Sequence, residues 1–163
     1  MLVKLICTTT IVFCTWFFGI SYSQILRDRV KLVDSYVFFL TELKSAITYS
    51  GKNIYDFLSE NKQKYTRSIS EFLILNKDAG IKKTIKDFKC SNNDEQKCVD
   101  LISDLMSFIE NSSDINAIAD LIDLACQNID NYKKQIQEEY KGKIKIAPSI
   151  SLICGLFIAL VLI

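Results

Sequence analysis

Two stretches at opposite ends of the chain contain no charged residue, and they limit what it can become. The first, Leu5 to Leu26, reads "LICTTTIVFCTWFFGISYSQIL" over 22 residues; the second, Ile146 to Ile163, reads "IAPSISLICGLFIALVLI" over 18 residues. At a helical rise of about 1.5 Å per residue they cover roughly 33 Å and 27 Å, against a hydrocarbon core of roughly 30 Å. Eleven residues of the second run are Leu, Ile, Phe or Val. Together these contribute roughly −3 to −7 kcal/mol of insertion free energy before Pro148 and two serines offset part of it. The core helix of a soluble domain seldom stays uncharged for so long, so both runs are expected to span a membrane. A chain that stops inside an apolar run then needs only to reach the far interface.

Residues 27–145 lie between the runs. These 119 residues carry 19 of the 20 basic side chains and all 19 acidic ones, for a net charge of zero. That balance excludes a general nucleic-acid footprint, which requires a basic excess or stripe. The expected organisation is an N-terminal spanning helix over 1–26, a cytoplasmic helical bundle over 27–145 and a C-terminal spanning helix over 146–163. Orientation follows from charge. Arg27, Arg29 and Lys31 flank one run, and Lys141, Lys143 and Lys145 flank the other, whereas the outer sides offer only Lys4 and the amino terminus. The positive-inside rule keeps the middle in the cytoplasm. A rival reading takes "MLVK" as a basic leader start and "SYS" before Gln24 as a cleavage site. The chain would then be a secreted or surface-anchored helical protein with a processed tail. Of the six cysteines, Cys7, Cys14 and Cys154 lie in the runs. Cys90, Cys98 and Cys126 remain, an odd set that reads as reduced thiols.

The middle has helical spacing throughout. Val30, Val33, Val37, Leu40, Leu43 and Ile47 recur at three- and four-residue intervals, with no breaker from Leu26 to Ser50. The first spanning helix should run straight on until Gly51, with Asn53 capping "IYDFLSEN". A helix over 62–79 should turn Ile69, Phe72, Leu73 and Leu75 inward, with Gly80 as its stop and "KKTIKDF" as a short helix after it. Asn93 is the expected cap of the next helix, with Asp94 and Glu95 in the first turn, where the dipole favours them. Val99, Ile102, Leu105, Met106 and Ile109 form its apolar face. Asp114 should cap a last helix built on Ile115, Ile118, Ile122, Ala125, Ile129, Tyr132 and Ile136. Gly142 and Pro148 allow a bend on the way into the second run, although neighbouring helices can accommodate a proline inside a spanning helix. The fold class is all-α: a membrane-anchored helical bundle whose first and last helices continue into the spanning helices and pack side by side.

Catalysis finds little to work with. The chain has no histidine, the side chain most used for proton transfer near neutral pH. Cys90 and Cys98 stand eight apart and match no zinc spacing. Neither GxxxxGK[ST] nor GxGxxG occurs. Glu138–Glu139 reads as a solvated face, and "NSS" at Asn111 has no meaning as a glycosylation acceptor in a cytoplasmic domain. No catalytic residue, metal, cofactor or small-molecule substrate is expected. In "SYVFFLTEL" the residues Tyr36, Phe38, Phe39 and Leu40 cannot all face one side of a helix. Either later helices wrap this one on two sides, or part of the surface meets another protein. Tyr36, Phe38, Phe39, Leu40, Tyr49, Ile54 and Leu58 are the candidate interaction residues.

In order and spacing the chain resembles the stage III sporulation protein AB family. The resemblance rests on Thr15, Trp16, Gly19 and Arg27 in "FCTWFFGISYSQILRDR", on Ile47, Tyr49, Ile54 and Leu58 in "AITYSGKNIYDFL", and on the tail "YKGKIKIAPSISLICGLFIALVLI". Ala46 stands where the family carries an acid, and Asn53 where it carries a proline. The centre, about 62–97, shows little likeness. The resemblance implies a non-enzymatic component of a channel-like, secretion-like complex between mother cell and forespore. Its cytoplasmic domain would be similar to those of inner-membrane platform proteins of type II secretion and pilus systems. It implies a place in the outer forespore membrane, facing the mother-cell cytoplasm. The partners implied are membrane lipid, other stage III sporulation proteins and a cytosolic ATPase, with self-association left open.

Overall fold

The computed structural model describes residues 2–50, 56, 57, 60, 65, 69, 88–111 and 114–162. Three helices have defined bounds: α1 (Leu2–Ser50), α2 (Asn93–Asn111) and α3 (Ile115–Leu162), with no strand among the described residues. α1 and α3 each hold one of the two apolar runs and continue without a break into the polar middle, so the fold is the all-α one expected. The chain divides into two compact units, one of Met1–Val30 with Gln135–Ile163, the other of Lys31–Lys134.

In the unit Lys31–Lys134, the C-terminal part of α1 buries Val33, Tyr36, Leu40, Leu43 and Ile47, an alternating three–four spacing, with Phe39 beside them. α2 buries Cys98, Val99, Ile102, Leu105, Met106 and Ile109; α3 answers with Ile118, Ile122, Ala125 and Ile129. Phe39 also meets Phe57 at 6.4 Å and Tyr65 edge-on at 5.4 Å between ring centres. Ile69, expected inward, is buried. The rest of the 62–79 helix, its stop at Gly80, "KKTIKDF", the Gly51 terminus and the Asn53 cap lie outside the described residues. Ion pairs join α1 to α3 antiparallel, Asp34 to Lys133 and Lys44 to Asp123.

Two helix starts are visible. Asp114 caps α3 as expected: its Oδ1 accepts the N–H groups of Asn116 at 3.0 Å and Ala117 at 3.3 Å. The cap of α2 is Asn92 and not Asn93: Asn92 Oδ1 accepts the Glu95 N–H at 2.9 Å. The shift has a local cause. With Asn92 as cap, Glu95 falls three residues into the helix, from where its side chain can reach back past the first turn.

In the other unit the two apolar runs lie antiparallel and close. Ser23 Oγ donates to the Ile144 carbonyl across the helices at 3.0 Å. A methyl group at Gly19 would stand 2.9 Å from the Ala147 carbonyl oxygen and 2.8 Å from Cβ of Ser151; one at Gly155 would stand 3.2 Å from Cα of Val12. Glycine is therefore what lets the backbones approach at these two levels. At Gly142 the added carbon would meet nothing within 4 Å. Pro148 lies inside α3, which continues through it.

Candidate functional site

The two acids expected in the first turn of α2 are there, and both are buried. Glu95 is 0% exposed and Asp94 nearly so. Tyr36 Oη on α1 donates to Glu95 Oε1 at 3.1 Å. The backbone N–H and the hydroxyl of Ser91 donate to Glu95 Oε2. Tyr132 Oη on α3 donates to Asp94 Oδ1 at 2.6 Å, and Lys97 Nζ lies 4.9 Å over the Tyr132 ring. The start of α2 is thus bonded through adjacent acids to α1 and to α3. Burial, and then the Glu95 carboxylate, push the Tyr36 phenol well above its usual value. Desolvation first and Asp94 second push the Cys98 thiol up to about 12; desolvation and then Glu95 push Cys90 up to about 11. Groups held this firmly in their protonated forms are poor nucleophiles and poor bases at neutral pH. The cluster positions helices. Its sequence signal was Asn92-x-x-Glu95, a capping-box pattern; its long-range partners Tyr36 and Tyr132 left no local mark.

Of the candidate interaction residues, Tyr36, Phe39 and Leu40 are buried within their own unit. Phe38 is 50% exposed, in edge contact with Tyr65 at 6.4 Å, and Tyr49 is 86% exposed. Ile54 and Leu58 lie outside the described residues. The helix spacing separates them: Tyr36, Leu40 and Leu43 share the face that α2 and α3 cover, while Phe38 and Tyr49 fall on other sides. A second apolar surface was not singled out from the sequence. Leu101 and Phe108 of α2 and Leu124 of α3 are exposed around a groove of about 430 Å³ floored by Leu105 and Ala125, with Asp100 and Asn128 at its rim. Among the described residues no cluster of three His, Cys, Asp or Glu side chains could hold a metal ion.

Both α1 and α3 are long and apolar enough to cross a membrane, and only 17% and 11% of their most apolar windows are buried. The family model for stage III sporulation protein AB matches residues 4–163. The chain belongs to that family. The match includes the centre, about 62–97, where the resemblance is slight. Membership is consistent with a role in sporulation. Comparison with curated proteins and with solved structures finds no match.

Proposed function

We propose that this family member is a membrane-held, non-catalytic platform of a sporulation channel or secretion-like assembly. α1 and α3 cross the bilayer as a hairpin, the body between them stays in the cytosol, and its exposed faces recruit a cytosolic ATPase and membrane partners. In the sporulating cell this puts it in the outer forespore membrane, facing the mother-cell cytoplasm.

One observation carries the reading. In the terminal unit the small residues Gly19, Ser23, Ser151 and Gly155 meet across the helix pair, while Phe13, Phe17, Phe18, Phe157 and Val161 are exposed, Phe18 at 76% and Val161 at 83%. Such a surface suits hydrocarbon and is untenable in water. The packing of Gly19 and Ser23 against α3 also supports retention of the first run over cleavage after Ser23. Charge supports the orientation, because basic residues crowd the inner flanks of both runs.

The test is assembly in sporulating cells. Phe38→Asp with Tyr49→Asp should leave the full chain in the membrane fraction at its normal amount but no longer co-purifying with the ATPase. Leu40→Asp, which buries a charge in the core, should fail to accumulate. Normal co-purification and sporulation of the Phe38/Tyr49 double variant would sink the platform reading for this surface.

A further inference from the structure

We propose that the groove between α1 and α3 at Arg27, Lys141 and Lys145 binds the phosphate headgroup of an anionic phospholipid. The inference rests on the membrane-spanning reading above. The groove has a volume of about 440 Å³, with Val30, Tyr140 and Ile144 as its apolar walls and no Asp or Glu in its lining. Its charges are unspent. Lys143 is bonded to Glu139, Lys134 to Asp130 and Lys133 to Asp34, yet among the described residues Arg27, Lys141 and Lys145 have no ion-pair partner. Three uncompensated cations around one cleft repel each other unless an anion sits among them.

Position selects the anion. Arg27 is the first charge after one uncharged run and Lys145 the last before the other. The Ser23–Ile144 hydrogen bond sets these levels beside each other across the helix pair. The groove therefore opens at the edge of the apolar zone, where lipid phosphates lie and where aromatic residues such as Tyr140 are favoured. A second groove on the same helix pair, of about 720 Å³ at Phe18, Tyr22, Glu139 and Lys143, gives the contrast. Its one lysine is already matched by Glu139, so it has no net charge to offer. Phosphate chemistry is common to lipid headgroups and soluble phosphate esters; the site's level in the hairpin favours the lipid.

The experiment places the full chain in phosphatidylcholine bilayers and measures its association with spin-labelled phosphatidylglycerol relative to spin-labelled phosphatidylcholine. Trp16, the only tryptophan, first reports insertion through quenching by brominated acyl chains. Without quenching, the spanning reading fails. With quenching but no lipid preference, the groove proposal fails alone. The expected preference for phosphatidylglycerol is about fivefold, falling below about twofold in Arg27→Gln/Lys141→Gln/Lys145→Gln. Arg29→Gln/Lys31→Gln/Lys143→Gln removes as much charge at a similar level and should keep the preference, as should Lys141→Arg/Lys145→Arg. Equal losses in the two glutamine triples would reduce the effect to diffuse surface charge and overturn the site. Displacement of the labelled lipid by millimolar glycerol phosphate would overturn the lipid as its occupant. Helical content by circular dichroism confirms that each variant is folded.

Discussion

Glu95 has exchanged all of its water for three donated hydrogen bonds, from Tyr36, from the Ser91 N–H and from the Ser91 hydroxyl. Such an exchange is nearly neutral while every bond is made and costly once one is missing. Tyr36→Phe keeps the ring, and so its packing, but leaves Oε1 without that donor. The expected loss is about 1–3 kcal/mol, felt where Glu95 anchors α2. Amide exchange over Ser91–Cys98 should speed up by roughly 5- to 150-fold if local opening governs it. Unchanged exchange there would mean that the Tyr36 bond does not hold the start of α2. Sequence showed half of this arrangement. An asparagine followed three residues later by a glutamate announces a helix start, but the glutamate's burial depends on a tyrosine 59 positions away, which no local pattern encodes.

Pro148 offers a test at the level of the helix. A proline donates no N–H, so the carbonyl four residues earlier, that of Ile144, loses its helical partner. Ser23 takes over: its hydroxyl shares one proton between Gly19 O at 3.1 Å and Ile144 O at 3.0 Å. This explains why α3 runs on through a residue read from the sequence as a point where it could bend. Ser23→Ala should therefore destabilise the helix pair by about 0.6–1.7 kcal/mol, the range of interhelical hydrogen bonds in membranes. In a Pro148→Ala background the new N–H satisfies Ile144, and the same Ser23→Ala change should cost close to nothing. Denaturant titration of the four proteins in bicelles gives the coupling energy, and an equal cost in both backgrounds would break the argument. Other features of the elements were readable. The absence of any breaker from Leu26 to Ser50 gave α1 its unbroken run over those residues, and the three–four isoleucine rhythm with Asp114 gave α3 its start. The small residues Ala147, Ser151, Gly155 and Ala159, spaced by four, were equally visible as letters. Their meaning depended on knowing that Thr15, Gly19 and Ser23 face them, and pairing between distant segments is what a single sequence does not carry.

At the scale of the molecule, the cysteines report where each part of the chain lies. Cys7, Cys14 and Cys154 are in the apolar runs, and Cys90, Cys98 and Cys126 are in the unit between them. The proposed orientation has that unit in the cytosol, so a membrane-impermeant maleimide should leave all three unlabelled in intact cells. Permeabilising the cells should then separate them. Maleimide reacts with thiolates, and raising Cys90 from 9.0 to about 11 lowers its thiolate fraction near neutral pH roughly a hundredfold. Cys98, fully buried and raised to about 12, should stay unlabelled until the chain is denatured. The pH dependence has a definite sign. An acid whose folded pKa is raised ionises first in the unfolded chain. The stability that Cys98 contributes is thus complete below about pH 9 and is lost as pH climbs towards 12. Folded labelling should accelerate over the same window in which the unit weakens. Labelling of Cys90, Cys98 or Cys126 in sealed cells would put this unit on the opposite side of the membrane. The charge rule would then have failed for this chain, and a cytosolic ATPase could no longer be its partner.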